Sequence, residues 1–115
     1  MTSIINRIQG QEMLRFLEEN DTYKKTNLDL YTFSKIIGVS PRTLSGLVQE
    51  AFDLGFRGFL NQFRIHKAQE LMSKHKANWL VQDYALAVGY SSRITFFKAF
   101  KTQTGMSPEE YIKRL

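Results

Sequence analysis

Apolar residues recur at the spacing of an α-helix in several separate stretches of the chain. The first stretch predicts a helix that ends near Asn20, and the polar residues 21–27 predict a loop. The apolar side of this helix comprises Ile5, Ile8, Met13, Phe16 and Leu17. Residues 56–73 form the longest stretch and predict a linking helix of roughly 27 Å. The pattern therefore predicts an all-α chain.

Two helices separated by a very short turn are predicted between residues 29 and 52. Asp29 suits the N-cap of the first helix, and Gly38 is placed to end it. Ser40 can cap the second helix, and Pro41 suits its first position. Helices joined by so short a turn cross steeply, as in a helix-turn-helix. In the second helix we expect an inner face of Leu44, Leu47, Val48 and Phe52, and an outer face of Arg42, Thr43, Ser45, Gly46 and Gln49.

The helix-turn-helix pattern occurs again in the last third of the chain. The spacing from Tyr84-Ala85 to Gly89 matches the spacing from Phe33-Ser34 to Gly38. Each glycine is followed by a basic residue and two apolar ones, which are Arg42, Leu44 and Val48 in the first copy and Arg93, Phe96 and Phe100 in the second, where the turn has one additional residue. Such a repeat arises rarely by chance and indicates two helix-turn-helix units.

The second helix of the later unit has a basic outer face. Its inward positions are Phe96, Ala99 and Phe100, which leaves Arg93, Thr95, Phe97, Lys98 and Lys101 pointing elsewhere. No acidic residue occurs between Tyr84 and Pro108, so we expect nothing nearby to neutralise the three cations. A basic helix face of this kind favours contact with phosphate.

The charge of the chain is concentrated in its second half. The 115 residues carry a net charge of +5, with a pI of about 9.6. Residues 1–57 contain seven Lys or Arg and seven Asp or Glu, whereas residues 58–115 contain nine and four. The absence of cysteine excludes disulfides and thiolate metal sites. No apolar stretch reaches membrane-spanning length and no signal peptide is visible, so we expect a soluble, cytoplasmic domain that needs no cofactor or metal and no membrane.

A long motif fills the end of the chain. It reads Gly-aromatic-x-Ser from Gly89, then Phe96, Lys98, Phe100-Lys101, Gly105-x-Ser107-Pro108 and Tyr111. Upstream stand Leu28, Leu30, Phe33, Gly38, Ser40 and Leu44, followed by Phe59-Leu60-Asn61-x-x-Arg64-Ile65-x-x-Ala68. These residues resemble the two helix-turn-helix units of AraC/XylS-type bacterial transcription regulators. The resemblance implies about seven helices, with helix-turn-helix subdomains at residues 1–55 and 76–115 and a linking helix at 56–75.

The resemblance implies sequence-specific binding of double-stranded DNA. Two reading helices, at about residues 41–52 and 92–103, would enter successive major-groove segments, so that one molecule reads an asymmetric site. The implied base contacts are Arg42, Ser45, Arg93, Ile94, Thr95, Phe97 and Lys98. The expected DNA backbone contacts are Ser40, Thr43, Gln49, Ser91, Ser92 and Lys101. Lys98 stands where the family commonly has arginine, and because an ammonium lacks the planar fork, a phosphate contact is at least as favourable there as a base contact. Gly46 also stands where the family often has arginine. Either the backbone approaches DNA closely at Gly46, or this unit mostly contacts phosphates through Ser40, Arg42, Thr43 and Gln49, and from the sequence we expect the second.

The main alternative is a protein-interaction module with this fold and weak or no specific DNA binding. Gly46 and the neutral first half favour it, whereas the basic second reading helix favours DNA. The sequence has no nucleophile-elbow motif and no phosphate-binding loop, so we expect no enzyme activity. The resemblance also implies RNA polymerase and a separate sensing or dimerisation domain as partners. The length leaves both a stand-alone regulator and a piece of a larger one open.

Overall fold

Helices account for 79% of the protein, and the expected all-α fold with about seven helices is confirmed. The computed structural model describes residues 2–115, with side chains described from residue 9, so that the predicted positions of Ile5 and Ile8 lie outside the described side chains. No strand occurs in this range. The α-helices are α1 (Thr2–Glu18), α2 (Leu30–Ile37), α3 (Pro41–Phe52), α4 (Phe56–His75), α5 (Val81–Ala87), α6 (Arg93–Thr104) and α7 (Pro108–Lys113).

The chain divides into two compact units. The first extends through Leu60, and the second covers Asn61–Leu115. The first unit therefore contains α1, α2, α3 and the beginning of α4, and the second contains the rest of α4 with α5, α6 and α7. The more detailed division into two subdomains and a separate linking helix stays a prediction.

The first unit has a core of aliphatic and aromatic side chains from all its helices. Phe33, Leu44 and Val48 are fully buried. The ring centroid of Phe33 lies 5.6 Å from that of Phe56, and those of Phe52 and Phe59 lie 4.6 Å apart. Burial of side chains of this size contributes roughly 1.5–3 kcal/mol each before the conformational entropy cost is subtracted. This core positions the helix-turn-helix formed by α2 and α3.

The segment after α1 differs from the predicted loop. The helix ends at Glu18, and residues Glu19–Lys24 form a 3₁₀ turn. Asn20 and Asp21 both have a φ of 54°, a left-handed conformation that ends the helix close to Asn20, as the sequence predicted. Thr22 and Tyr23 are buried, although their polar sequence neighbourhood predicted an exposed loop. Tyr23 thus belongs to the core, which the local sequence pattern did not predict.

A chain of aromatic rings forms the core of the second unit. The ring centroids of Tyr90 and Phe96 are 5.4 Å apart, those of Phe96 and Phe100 are 5.7 Å apart, and those of Phe100 and Tyr111 are 5.3 Å apart. The hydroxyl of Tyr90 donates to Asn61 Oδ1 at 2.8 Å, and this hydrogen bond connects the row of aromatic rings to α4. Phe96 and Phe100 thereby hold α6 with one face in the core.

Tyr84 anchors α5 in the second unit. Its side chain is fully buried, and its hydroxyl donates to the carbonyl oxygen of Lys76 at 2.6 Å. Burial raises the pKa of Tyr84, because the phenolate would lose the solvation that stabilises its charge. Its ring also lies 5.2 Å from Trp79, which stacks on His75 at 4.1 Å.

Candidate nucleic-acid interface

The helix pairs α2–α3 and α5–α6 are built in the same way. Ser40 caps α3 by accepting a hydrogen bond from Thr43 N at 3.1 Å, and Ser92 caps α6 by accepting one from Thr95 N at 3.3 Å. Four and eight residues after each serine stand the fully buried pairs Leu44 and Val48 in α3, and Phe96 and Phe100 in α6. The two caps therefore set a common register, and each helix turns one face inward and the opposite face to solvent.

The turn before each of these helices depends on a left-handed glycine. Gly38 has a φ of 90° and Gly89 a φ of 103°. At Gly38 the amide also donates to Ser34 O at 2.8 Å, which ends α2. Ser34 and Ala85 are both buried, as small residues are where a second helix packs closely.

The longer second turn changes which residues correspond between the two helices. Arg93 is the first residue of α6 and so corresponds to Pro41, the first residue of α3. Ile94, not Arg93, is the helical counterpart of Arg42, and Lys98 is the counterpart of Gly46. The pairing of Arg93 with Arg42 from the sequence repeat is wrong by one residue, because the extra turn residue precedes the cap.

The outer face of α6 carries all the candidate contact residues of this helix. Arg93, Ile94, Thr95, Phe97, Lys98 and Lys101 are exposed, while Phe96, Ala99 and Phe100 are buried. Ile94 is 70% exposed and Phe97 is 36% exposed, so two apolar side chains stand among the cations. In the preceding turn Ser91 is exposed, and Ser92 is half-buried and engaged as the cap.

The outer face of α3 is polar and has less charge. Arg42, Thr43, Ser45, Gly46 and Gln49 are all exposed. Some of these groups already have partners within the first unit: Ser40 Oγ donates to Thr43 Oγ1 at 2.9 Å, and Gln49 Nε2 donates to Asp53 Oδ1 at 2.8 Å. Arg42 is the cation of this face.

The expectation that no acidic group lies near the basic face of α6 is wrong at one residue. Glu109 Oε2 lies 3.8 Å from Arg93 Nη2. Glu109 lies in the first turn of α7. Ser107 caps this helix by accepting a hydrogen bond from Glu110 N at 3.1 Å. Within the described part of the chain, Arg42, Lys98 and Lys101 have no ion-pair partner. Their charges are therefore available to an external anion.

The sequence pattern did not predict an apolar depression that lies beside α5. Trp79, Asp83, Leu86 and Ala87 line a volume of about 500 Å³, and Leu86 is 53% exposed. Leu80 is 72% exposed at the start of α5, where Asp83 Oδ2 accepts a hydrogen bond from its backbone amide at 2.8 Å. The only signal in the sequence was that Leu80 and Leu86 lie outside the inward-facing positions of the helix-turn-helix repeat.

The described residues hold neither a metal-ion cluster nor a membrane-spanning helix. Side chains of His, Asp and Glu form no cluster of three that could hold a metal ion there. Across the same residues, each helix is too short or too polar to span a bilayer.

The helix-turn-helix architecture is matched by a protein-family model. The model is described as a helix-turn-helix domain, and it matches residues 33–114, which run from α2 to the end of α7. The chain belongs to the AraC-type helix-turn-helix family. Members of this family are DNA-binding domains of transcription regulators.

Relatives of this AraC-type chain are longer proteins. It is similar to the HTH-type transcriptional regulator GlxA of Rhizobium meliloti, with 29% identity over 102 residues, or 89% of this chain and 31% of GlxA. It is also similar to an uncharacterised HTH-type transcriptional regulator of Staphylococcus aureus, with 29% identity over 109 residues, or 95% of this chain and 14% of that protein. The chain thus spans less than a third of the length of these curated relatives.

A solved structure shares the fold of the AraC-type chain. The C-terminal domain of AraT, a response regulator from Geobacillus stearothermophilus, superposes with a TM-score of 0.78 at 24% identity, covering 91% of this chain and 84% of that one. At this level of identity, the similarity establishes the fold alone.

Proposed function

We propose that this chain binds double-stranded DNA sequence-specifically as the DNA-binding part of a bacterial transcription regulator, with α3 and α6 as its reading helices. The family membership supports DNA binding and transcription regulation in general. The residue-level assignment rests on the outer face of α6, where cations, a hydroxyl and two apolar side chains stand together opposite a buried aromatic face. This single observation carries the proposal, because a major groove presents matching acceptors, phosphates and thymine methyl groups.

Each exposed group of α6 has a counterpart in duplex DNA. Arg93 has the planar donors that guanine O6 and N7 accept bidentately, and Ile94 and Phe97 can pack against thymine methyl groups. Thr95 can exchange a hydrogen bond with a base edge. Lys98 and Lys101 are suited to phosphate, as are Ser91 and Ser92 at the helix N-terminus, where backbone amides attract anions. The face therefore combines base readout with backbone contacts.

The outer face of α3 can contact DNA in the same way, but it carries fewer charges. Arg42 and Ser45 are the proposed base contacts, and Ser40, Thr43 and Gln49 are the proposed backbone contacts. Because Ser40 and Thr43 bond to each other and Gln49 bonds to Asp53, these groups would share or exchange their present partners on binding. We therefore assign α6 the larger share of affinity and specificity.

Two reading helices on one chain imply an asymmetric site. If α3 and α6 enter successive major-groove segments, the two half-sites are centred about one helical turn apart, roughly 10 base pairs. Selection of bound duplexes from a random pool tests this. We expect a bipartite motif with more information in one half, and uniform enrichment or no enrichment would overturn the proposal.

A protein-interaction module is the second candidate function, and the apolar depression beside α5 favours it, because exposed apolar surface commonly marks contact sites. The salt dependence of duplex binding separates the two candidates. A DNA-binding domain loses affinity steeply as salt rises, with a slope of about −0.9 per neutralised phosphate, whereas an interaction module shows little duplex affinity at any salt concentration.

The proposal includes two further partners implied by the family: RNA polymerase, and a sensing or dimerisation domain outside this stretch. Contact with RNA polymerase predicts that the purified chain alters open-complex formation at a promoter carrying its selected site. A separate sensing or dimerisation domain predicts that this chain by itself binds its site as a monomer. A dimer of this chain at micromolar concentration would contradict that assignment.

A further inference from the structure

Glycine occurs inside three helices of the first unit, although most other residues favour helices more strongly. Gly10 lies in α1, Gly46 in α3 and Gly58 in α4. A glycine inside a helix loses more backbone freedom on folding than alanine does and contributes no side-chain packing. Each of the three positions therefore calls for an explanation in terms of packing, backbone conformation or function.

Neighbouring side chains occupy the space beside two of these glycines. A Cβ atom added at Gly10 would lie 3.3 Å from Phe52 Cζ and 3.4 Å from Ala51 Cβ. One added at Gly58 would lie 3.4 Å from Leu54 Cδ2. At Gly10 the contact would be tight, and at Gly58 the added atom would be in van der Waals contact. Packing within the first unit thus accounts for the small residue at Gly10 and places a neighbour beside Gly58.

Gly46 has no such neighbour. A Cβ atom added there meets nothing within 4 Å, and the residue is exposed in the middle of α3. Its φ is not positive, so its backbone does not require glycine either. Neither packing nor conformation in the protein itself explains the absence of a side chain.

The position of Gly46 on α3 relates it to the proposed DNA contacts. It lies one helical turn after Arg42 and on the face opposite the buried Leu44 and Val48. Its counterpart in α6, counted from the serine caps, is the exposed Lys98. The two proposed reading helices thus differ most in side-chain length at this common position.

We propose that Gly46 is the point of closest approach between α3 and duplex DNA, where the missing side chain lets the helix backbone approach the groove directly. This inference rests on the proposed function and deepens it. The two helices would dock at different depths: α3 with its backbone against the DNA at Gly46, and α6 at a distance set by Lys98.

The test substitutes Gly46→Ala in the full chain and uses the duplex that the wild-type chain selects from a random pool. Alanine favours the helix, so the midpoint of thermal unfolding should rise by about 2–6 °C. Affinity for the selected duplex should fall about tenfold or more, and further for Gly46→Val. A variant that is more stable and yet binds less tightly cannot owe its weaker binding to a damaged fold.

Gly58→Ala is the matched control, because it makes the same change in a helix outside the proposed reading face. We expect its affinity for the duplex to stay within twofold of the wild type. Unchanged or higher affinity of Gly46→Ala would overturn the close approach while leaving the proposed function intact. A wild-type chain without salt-dependent duplex affinity would overturn both.

Discussion

Arg93 Nη2 lies 3.8 Å from Glu109 Oε2, so the first residue of the proposed second reading helix is paired with a carboxylate from the following helix. Both side chains are about half exposed, with 59% of Arg93 and 48% of Glu109 accessible. Such a pair contributes at most about 1 kcal/mol to stability, because water screens it. Its larger effect concerns DNA, since it places a negative charge beside the cation that would contact the groove.

Replacing the carboxylate should strengthen DNA binding. In Glu109→Gln, Arg93 keeps its position but loses its neutralising partner, and a charge that repels phosphate is removed. We expect a two- to fivefold higher affinity for the selected duplex, corresponding to about 0.5–1 kcal/mol, and a salt slope steeper by up to about 0.9. Fluorescence anisotropy across a salt series measures both. Glu110→Gln is the control. An equal gain in affinity in this variant would show that the effect comes from net charge and not from the Arg93 ion pair.

Arg93 and Lys98 should differ in the kind of contact they make. Arg93→Lys keeps the charge but loses the planar fork, so discrimination at one guanine should fall by about 1–3 kcal/mol while the salt slope stays constant. Lys98→Ala should weaken binding to all sequences alike and reduce the salt slope by about 0.9. Competition assays with single-base variants of the selected site measure these effects. The assignment fails for Arg93 if its lysine variant retains full base discrimination.

Ser92 should serve both helix stability and DNA contact, and two substitutions separate these roles. Asp and Asn both replace Ser well as N-caps, so Ser92→Asp and Ser92→Asn should unfold within about 0.5 kcal/mol of the wild type, whereas Ser92→Ala should lose about 1 kcal/mol. Only Ser92→Asp places a negative charge at the N-terminus of α6. Its duplex affinity should fall at least tenfold below that of Ser92→Asn, and equal affinities would place this helix end away from phosphate.

Acid should weaken the cap of α2. Hydrogen bonds from Thr32 to the Asp29 carboxylate lower the pKa of Asp29 below its ordinary value of 3.8. A group with a lowered folded-state pKa stabilises the protein above its unfolded pKa, and this contribution is lost as the pH falls through the folded value. Asp29→Asn retains a cap that does not titrate. Urea unfolding between pH 7 and pH 2.5 should show that the free energy of unfolding falls less in acid for Asp29→Asn than for the wild type. An equal fall in the two proteins would contradict this.

Helix boundaries were largely predictable from the sequence. Ser40, Ser92 and Ser107 each accept a hydrogen bond from the amide three residues later, and these interactions involve only neighbouring residues. The prediction that Gly38 stops α2 and the prediction that α3 starts at Pro41 were correct, because these boundaries also depend only on neighbouring residues. The start of α6 was one residue off, because Ser92 is the cap and not the first helical residue. The contact roles of the candidate site residues stay predictions.

Local patterns therefore determined the helices, their inward faces and the repeat, because caps, left-handed glycines and apolar periodicity act within a few residues. Only the tertiary structure decided which side chains meet across helices. It placed Glu109 beside Arg93 and buried Tyr23 in a polar segment. These relationships depend on how separate helices pack, and the spacing of residues within one helix does not specify that packing.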